Sequence, residues 1–268
     1  MMTDQPELLT SIEDGIARIT FNRPHARNAL TGYMVDTMRE FLKTVEHDPA
    51  VRCVVITGAG DHFMAGGDVK AFNEVLDMDG EARRRHFEIK ATNAVGLFAV
   101  MERLPKPIIA KIRGACAGAA VGWAAAADFV LVSDTALFLV AHIKLGTSPD
   151  GAVTWHLPRV VGLRKAKEMA MLGDRVLAEE AVAIGLANRM VPDAELDAET
   201  EKLARRLAEG PTVAIGRTRQ LLNVAAENTL QRQMQLEAEG FGACAVTDDF
   251  IDGMRSFAEK RPPVFKGV

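Results

Sequence analysis

The chain has 268 residues, 48% of them hydrophobic and 25% charged, which excludes collagen-like, disordered and disulfide-scaffold classes. A formal net charge of −4 argues against general binding to nucleic acid or to anionic membranes. Three cysteines, Cys53, Cys116 and Cys244, have neither CxxC nor Cys/His spacing, so no disulfide framework and no metal site is expected.

Residues 1–11 carry neither a basic nor an apolar run, and no secretory signal is expected. Residues 114–127 are uncharged but shorter than the ~18 apolar residues a span needs. A cytoplasmic protein with no membrane partner is the reading.

In chain order, Ile16–Phe21 alternates as a half-buried strand does, and residues 22–27 read as a loop. Thr31 is predicted to cap a helix running to about His47, with Met34, Val35, Met38, Phe41, Leu42 and Val45 on one stripe. A short β-rich run follows at 52–57 and stops at Gly58-Ala-Gly60. Residues 69–104 read as helix with a charged, mobile middle at 77–85. Ile108–Ile112 is a buried strand, followed by a Gly/Ala segment and strand-like runs at 129–132 and 136–140. Helices are expected over Leu163–Leu172, 178–185, 195–209, 213–229 and a long C-terminal stretch. Short strands alternating with helices predict an α/β core of ββα or βαβ units over residues 1–195. Residues 196–268 read as a helical packing or oligomerisation region.

Two loops suggest chemistry. His62-Phe-Met-Ala-Gly-Gly-Asp-Val-Lys70 and Gly114-Ala-Cys-Ala-Gly-Ala-Ala-Val-Gly122 each lie between a strand and a helix. Small residues there let backbone approach a ligand and present N–H groups at a helix start. Two such loops can aim two donors at one oxygen, as in an oxyanion hole, where losing one donor costs roughly 3–4 kcal/mol. Tight turns with close helix–strand packing are the alternative. Neither loop has a GxxxxGK[ST] or GxGxxG phosphate signature.

Asn22-Arg-Pro-His-Ala-Arg-Asn-Ala-Leu30, Phe63-Met-Ala-Gly-Gly-Asp-Val-Lys70, Lys106-Pro-Ile-Ile-Ala-Lys-Ile-Arg-Gly-Ala-Cys-Ala-Gly118 and Phe257-Ala-Glu-Lys-Arg-Pro-Pro-Val-Phe265 resemble the signature segments of the crotonase (enoyl-CoA hydratase/isomerase) superfamily. The resemblance spans about residue 12 to the end. It implies a crotonase-like spiral of ββα units, a helical C-terminal trimerisation region and acyl-CoA substrates. It implies that the N–H groups of Gly67 and Ala119 form the oxyanion hole. It also places Arg27, Ala29, Ala65, Asp68 and Lys70 near the CoA nucleotide and pantetheine. Phe257 and Lys260 would complete that pocket from a neighbouring subunit of a homotrimer or dimer of trimers. No cofactor is implied, since CoA arrives as part of the substrate.

The chain departs from the hydratase pattern. Hydratases of the superfamily use two glutamates to position and deprotonate water, and those positions fall on Gly122 and His142. The resemblance instead points to Asp150, within Lys144-Leu-Gly-Thr-Ser-Pro-Asp-Gly-Ala-Val-Thr-Trp-His-Leu-Pro-Arg159. This run is similar to the subgroup of ring-epoxide (oxepin-CoA-forming) and Δ3–Δ2 enoyl-CoA isomerases, in which an aspartate there is the acid/base. Aryl-CoA dehalogenases place a nucleophilic aspartate at this position too, paired with a tryptophan that falls on His142.

An Asp after Pro in a Gly-flanked turn beside an apolar pocket is expected to be partly desolvated, which suits a carboxylate to proton transfer near neutral pH. Alternatively Asp150 N-caps the helix opening near Gly151. His142 is either a packed core histidine or a catalytic partner facing Asp150. His62 reads as rim, His86 as surface and His156 as structural, with Tyr33, Trp123 and Trp155 as core aromatics.

The expected activity is enolate-stabilising isomerisation of a CoA thioester, either a Δ3–Δ2 double-bond shift or a ring-epoxide rearrangement. The alternatives are a hydratase using His142 and Asp150, a dehalogenase or thioester hydrolase with Asp150 as nucleophile, and a non-catalytic acyl-CoA-binding protein.

Overall fold

The computed structural model describes residues 5–268, apart from the side chains of Val69 and Lys70. Leu8–Glu13 (β1) and Ile16–Phe21 (β2) form an antiparallel hairpin. Its turn residues Asp14 and Gly15 have φ of 51° and 75°, the left-handed pair that matches strand twist. The sequence reading missed β1. Only Leu8 of that edge strand is buried, so it carries no alternation to read.

Gly32–His47 (α1) begins as expected, the Thr31 side chain accepting the Met34 N–H. Met34, Val35, Met38, Leu42 and Val45 are buried along its stripe, and Phe41 is partly buried. Cys53–Gly58 (β3) lies parallel to β2.

The single helix expected over 69–104 is three: Val69–Asn73 (α2), Gly80–Asn93 (α3) and Val95–Arg103 (α4). The Asp79 carboxylate accepts N–H bonds from Glu81 and Ala82 and starts α3 afresh. No described residue of α3 is buried, whereas α4 buries Leu97, Phe98, Val100 and Met101.

From here the chain alternates between two sheets. Ile108–Ile112 (β4) joins the large sheet beside β3, and Ala115–Ala117 (β5) starts a small one before Ala120–Ala126 (α5). Phe129–Ser133 (β6) then pairs with β4, and Leu137–Leu139 (β7) pairs with β5. Each turn adds one strand to each sheet, which is the expected ββα spiral.

Val153–Val161 (α6) and Leu163–Leu172 (α7) follow. Val176–Leu177 (β8) closes the small sheet, and after Ala178–Ala183 (α8), Arg189–Val191 (β9) is the sixth strand of the large one. Leu196–Ala208 (α9) buries Leu196, Ala204 and Ala208 against Ile16, Cys53, Val55, Ile109 and Leu131 of that sheet. Thr212–Val224 (α10), Leu230–Ala245 (α11) and Asp248–Glu259 (α12) end the fold.

On the other face of the sheet, Phe21 packs edge-on against Phe63 at 5.5 Å and at a tilt against Trp123 at 5.4 Å. Trp123 is thus a core aromatic. Tyr33 and Trp155 are not: both are exposed, and Trp155 stacks instead under the Arg159 guanidinium, one helical turn away, at 3.4 Å.

Candidate active site

The first loop, between β3 and α2, is held from below by Asn28, which is fully buried. Its side-chain amide donates to the carbonyls of Ala59 and His62 at 2.9 and 2.7 Å and accepts the Arg23 N–H. The loop backbone is stitched to β5, since Met64 N–H donates to Ala115 O and Ala117 N–H to Met64 O, both at 2.9 Å. His62 belongs to the same seam, its Nδ1 accepting the Ala115 N–H at 3.1 Å.

These bonds bring Gly66 against Gly118. Both have positive φ, 93° and 60°. A Cβ built on Gly118 would stand 3.3 Å from Gly66 Cα, so backbone touches backbone there. The next residue of each loop, Gly67 and Ala119, is the one expected to supply a donor. Among the described residues neither N–H is bonded to a protein acceptor. Two unpaired donors flanking one backbone contact can serve an oxygen that carries negative charge. The Phe72 ring of α2 lies against Gly67 and packs edge-on to Phe87 of α3 at 5.2 Å. Sequence reasoning left Phe72 inside an undivided helix, so its place beside the donors was missed.

Asp150 reaches this spot through a second close approach. A Cβ on Gly151 would lie 2.6 Å from the Ala119 Cβ, so the turn carrying Asp150 rests directly on one donor residue. The same turn fills the space beside Gly122, where a Cβ would collide with the Gly151 carbonyl oxygen and come within 2.9 Å of Val153 N. No side chain, glutamate included, can stand at 122 while the turn keeps this position.

The Asp150 side chain does not cap α6. That helix has Ala152 at its N-cap, with φ of 57° and no side-chain cap bond. The carboxylate instead meets His142, with Oδ1 3.0 Å from Nε2. His142 is buried, on the short 3-10 turn Ala141–Leu145. The Asp150 side chain is 55% exposed, so the protein alone does not supply the expected desolvation.

The expected CoA-side residues fall into two groups. Arg27 and Ala65 are neighbours, the Ala65 N–H donating to the Arg27 carbonyl at 3.0 Å, and the Arg27 side chain is exposed. Arg23 donates to the Ala29 carbonyl and to the Asp68 carboxylate at 2.8 and 2.9 Å, tying both to the donor loop. The Lys70 side chain lies outside the described residues. Phe257 and Lys260 stand apart: Phe257 is 87% exposed, and no described hydrogen bond or ion pair joins either side chain to the two loops. Among the described residues no cluster of His, Cys, Asp and Glu could hold a metal ion, and no helix is long and apolar enough to cross a membrane.

The profile of the enoyl-CoA hydratase/isomerase family matches residues 11–268. The chain is 36% identical over 260 residues to the 1,2-epoxyphenylacetyl-CoA isomerase of Escherichia coli (strain K12), covering 97% of this chain and 98% of that one. It is 33% identical over 256 residues to the crotonyl-CoA hydratase of Syntrophomonas wolfei, covering 94% and 95%. An enoyl-CoA hydratase of Mycobacterium smegmatis superposes with a TM-score of 0.89 at 29% identity, covering 97% of this chain and 99% of that structure.

Proposed function

The chain belongs to the enoyl-CoA hydratase/isomerase family, and from that membership we propose that it isomerises a CoA thioester with Asp150 as its acid/base. The thioester oxygen accepts the N–H groups of Gly67 and Ala119. Charge that develops on this oxygen as a proton leaves C2 is stabilised by donors already in place. The free oxygen of Asp150 takes the C2 proton of a 3-enoyl thioester and returns it to C4, so the double bond moves from C3–C4 to C2–C3. A ring-epoxide thioester, the substrate class named by the Escherichia coli relative, suits the same donors. No metal or redox step enters.

The observation that carries this reading is the packing at Gly122. The family includes hydratases as well as isomerases, but here the Asp150 turn occupies the space a water-activating glutamate would need. One carboxylate beside two N–H donors suits proton relocation. Hydration by two carboxylates has no second group to call on.

The test is the initial rate of 3-hexenoyl-CoA conversion to its conjugated 2-enoyl isomer, followed in the ultraviolet, with the ring-epoxide thioester run in parallel. Asp150→Asn keeps the shape and removes the base, and turnover is expected to fall by at least about a hundredfold. Turnover unchanged in that variant would falsify the assignment. Rapid hydration of crotonyl-CoA by the wild type would favour a hydratase instead.

Assembly belongs to the same proposal. Leu230, Phe241, Val246 and Phe257 on or beside α11 and α12 are all strongly exposed, and a set of large apolar side chains like this marks an interaction surface. A homotrimer or dimer of trimers would cover it and bring Phe257 and Lys260 to a neighbour's CoA. Light scattering on the purified protein tests this, with a monomeric mass counting against it.

A further inference from the structure

We infer that His142 is a positioning residue that holds Asp150 in one orientation by donating a single Nε2–H bond, so that one carboxylate oxygen carries the whole proton transfer. The inference rests on Asp150 being the acid/base. It adds which oxygen works, and in which protonation state the histidine stands.

His142 Nε2 lies 3.0 Å from Asp150 Oδ1. The Asp150 N–H is also directed at Nε2, which would use that nitrogen as an acceptor, but at 3.4 Å it lies beyond the usual 2.7–3.2 Å range, so the shorter contact decides the tautomer. The other ring nitrogen, Nδ1, is fully enclosed and has no hydrogen-bond partner among the described residues. A proton must lie between Nε2 and Oδ1 for the short contact to be attractive. If it belonged to Asp150, the neutral ring would carry its own proton on Nδ1 and bury an orphan donor. If both nitrogens were protonated, that orphan would be part of a buried cation, which is worse. The remaining state is the neutral ring with its hydrogen on Nε2 and a bare lone pair on Nδ1.

That state fixes the carboxylate. Oδ1 is occupied as an acceptor, and among the described residues no other charged side chain pairs with Asp150. Oδ2 is left to exchange the proton with substrate, and it can be protonated while the His142 bond persists on Oδ1. The backbone that carries the imidazole is itself tied down. The Thr147 N–H and hydroxyl both reach the His142 carbonyl, at 3.1 and 3.4 Å, closing the short loop between the two residues.

Two substitutions and one spectrum test this. His142→Leu keeps bulk and removes the donor; its kcat is expected to drop by at least about tenfold while KM stays within about threefold. His142→Gln can place an amide N–H where Nε2 stands, and it should recover most of the lost kcat. In the wild-type protein, imidazole 15N shifts, assigned by their response to Asp150→Asn, should show a protonated Nε2 and a bare Nδ1 at neutral pH. The spectrum needs no histidine variant to fold.

An Nδ1–H tautomer or an imidazolium overturns the inference, as does a leucine variant with wild-type kcat or a glutamine variant no better than leucine. An inactive Asp150→Asn beside a fully active His142→Leu removes only the positioning role. An active Asp150→Asn removes the acid/base assignment on which it rests.

Discussion

At Gly122 the absence of a side chain is what allows the Asp150 turn to lie on α5. Adding one methyl group forces that turn outward, because the Gly151 carbonyl oxygen already fills the space. Gly122→Ala should therefore lose about 1–3 kcal/mol of stability from overpacking, measured by urea unfolding. A displacement of roughly 1 Å at a reacting group can cost about a hundredfold in rate, so turnover should fall by more than the stability loss alone explains. A stable, fully active alanine variant would mean that the turn shifts without consequence. Asp150 and His142 were both legible from the sequence, through the resemblance and their positions in it, and so was the possibility that they face each other. That the Asp150 side chain does not cap α6 was not legible, because a cap and a proposed base share the same Pro-Asp-Gly spelling. The left-handed Ala152, which takes the cap position, has no sequence signature.

Helix α6 carries a second histidine with a different part to play. His156 is buried against Phe98, ring centroids 5.9 Å apart, with Nε2 3.4 Å from the Glu102 carboxylate of α4. Burial, with smaller contributions from the charges of Arg159 and Arg219, pushes its imidazole down to about 4. The same enclosure raises Glu102 above the usual carboxylate value. The folded chain keeps His156 neutral where the unfolded chain takes up a proton near 6.5. Its contribution to stability is therefore complete above about pH 6.5 and is lost as pH falls toward 4, by up to about 3 kcal/mol. Urea midpoints at pH 7, 5.5 and 4.5 should converge between wild type and His156→Gln as pH falls; parallel curves would contradict this. Among the elements, α1 could be read in full because its cap and stripe are both strong signals. The division of 69–104 could not, since the charged middle hides a second capped start at Asp79. The three-residue strand β5 is too short to show alternation, although it carries the second donor loop, whereas β7 falls within the strand-like run at 136–140.

The molecule as a whole is tied together by Arg219. This residue of α10 is buried and pairs with Asp128 at 2.7 Å, and it donates to the carbonyls of Glu102 and Leu104 where α4 ends. Asp128 in turn accepts the Ile108 N–H at the start of β4. One guanidinium thus joins the C-terminal helices to the sheet. Burial raises the Asp128 carboxyl, and Arg219 opposes that rise. Arg219→Met would leave a buried carboxylate without its partner and should destabilise the protein by about 3–5 kcal/mol. Adding Asp128→Asn should restore part of the loss, and denaturant unfolding of the single and double variants reads both effects. Composition and strand–helix alternation made the α/β class and the helical C-terminal region legible. They could not show that α9 lies on the sheet, because a helix stripe does not name the surface it covers.

The two N–H donors are main-chain groups, held by contacts between main chains, and Asp150, the proposed proton carrier, comes from a separate short turn. On the proposed reading, the stabiliser of the oxygen and the agent of the chemistry are therefore separate parts, which meet where Gly151 rests on Ala119 and beside Gly122. Such a design is interchangeable: the 141–152 segment, taken with a glycine at 122, is a cassette. Moved into a hydratase relative, it should carry proton relocation with it and leave the recipient's thioester grip unchanged.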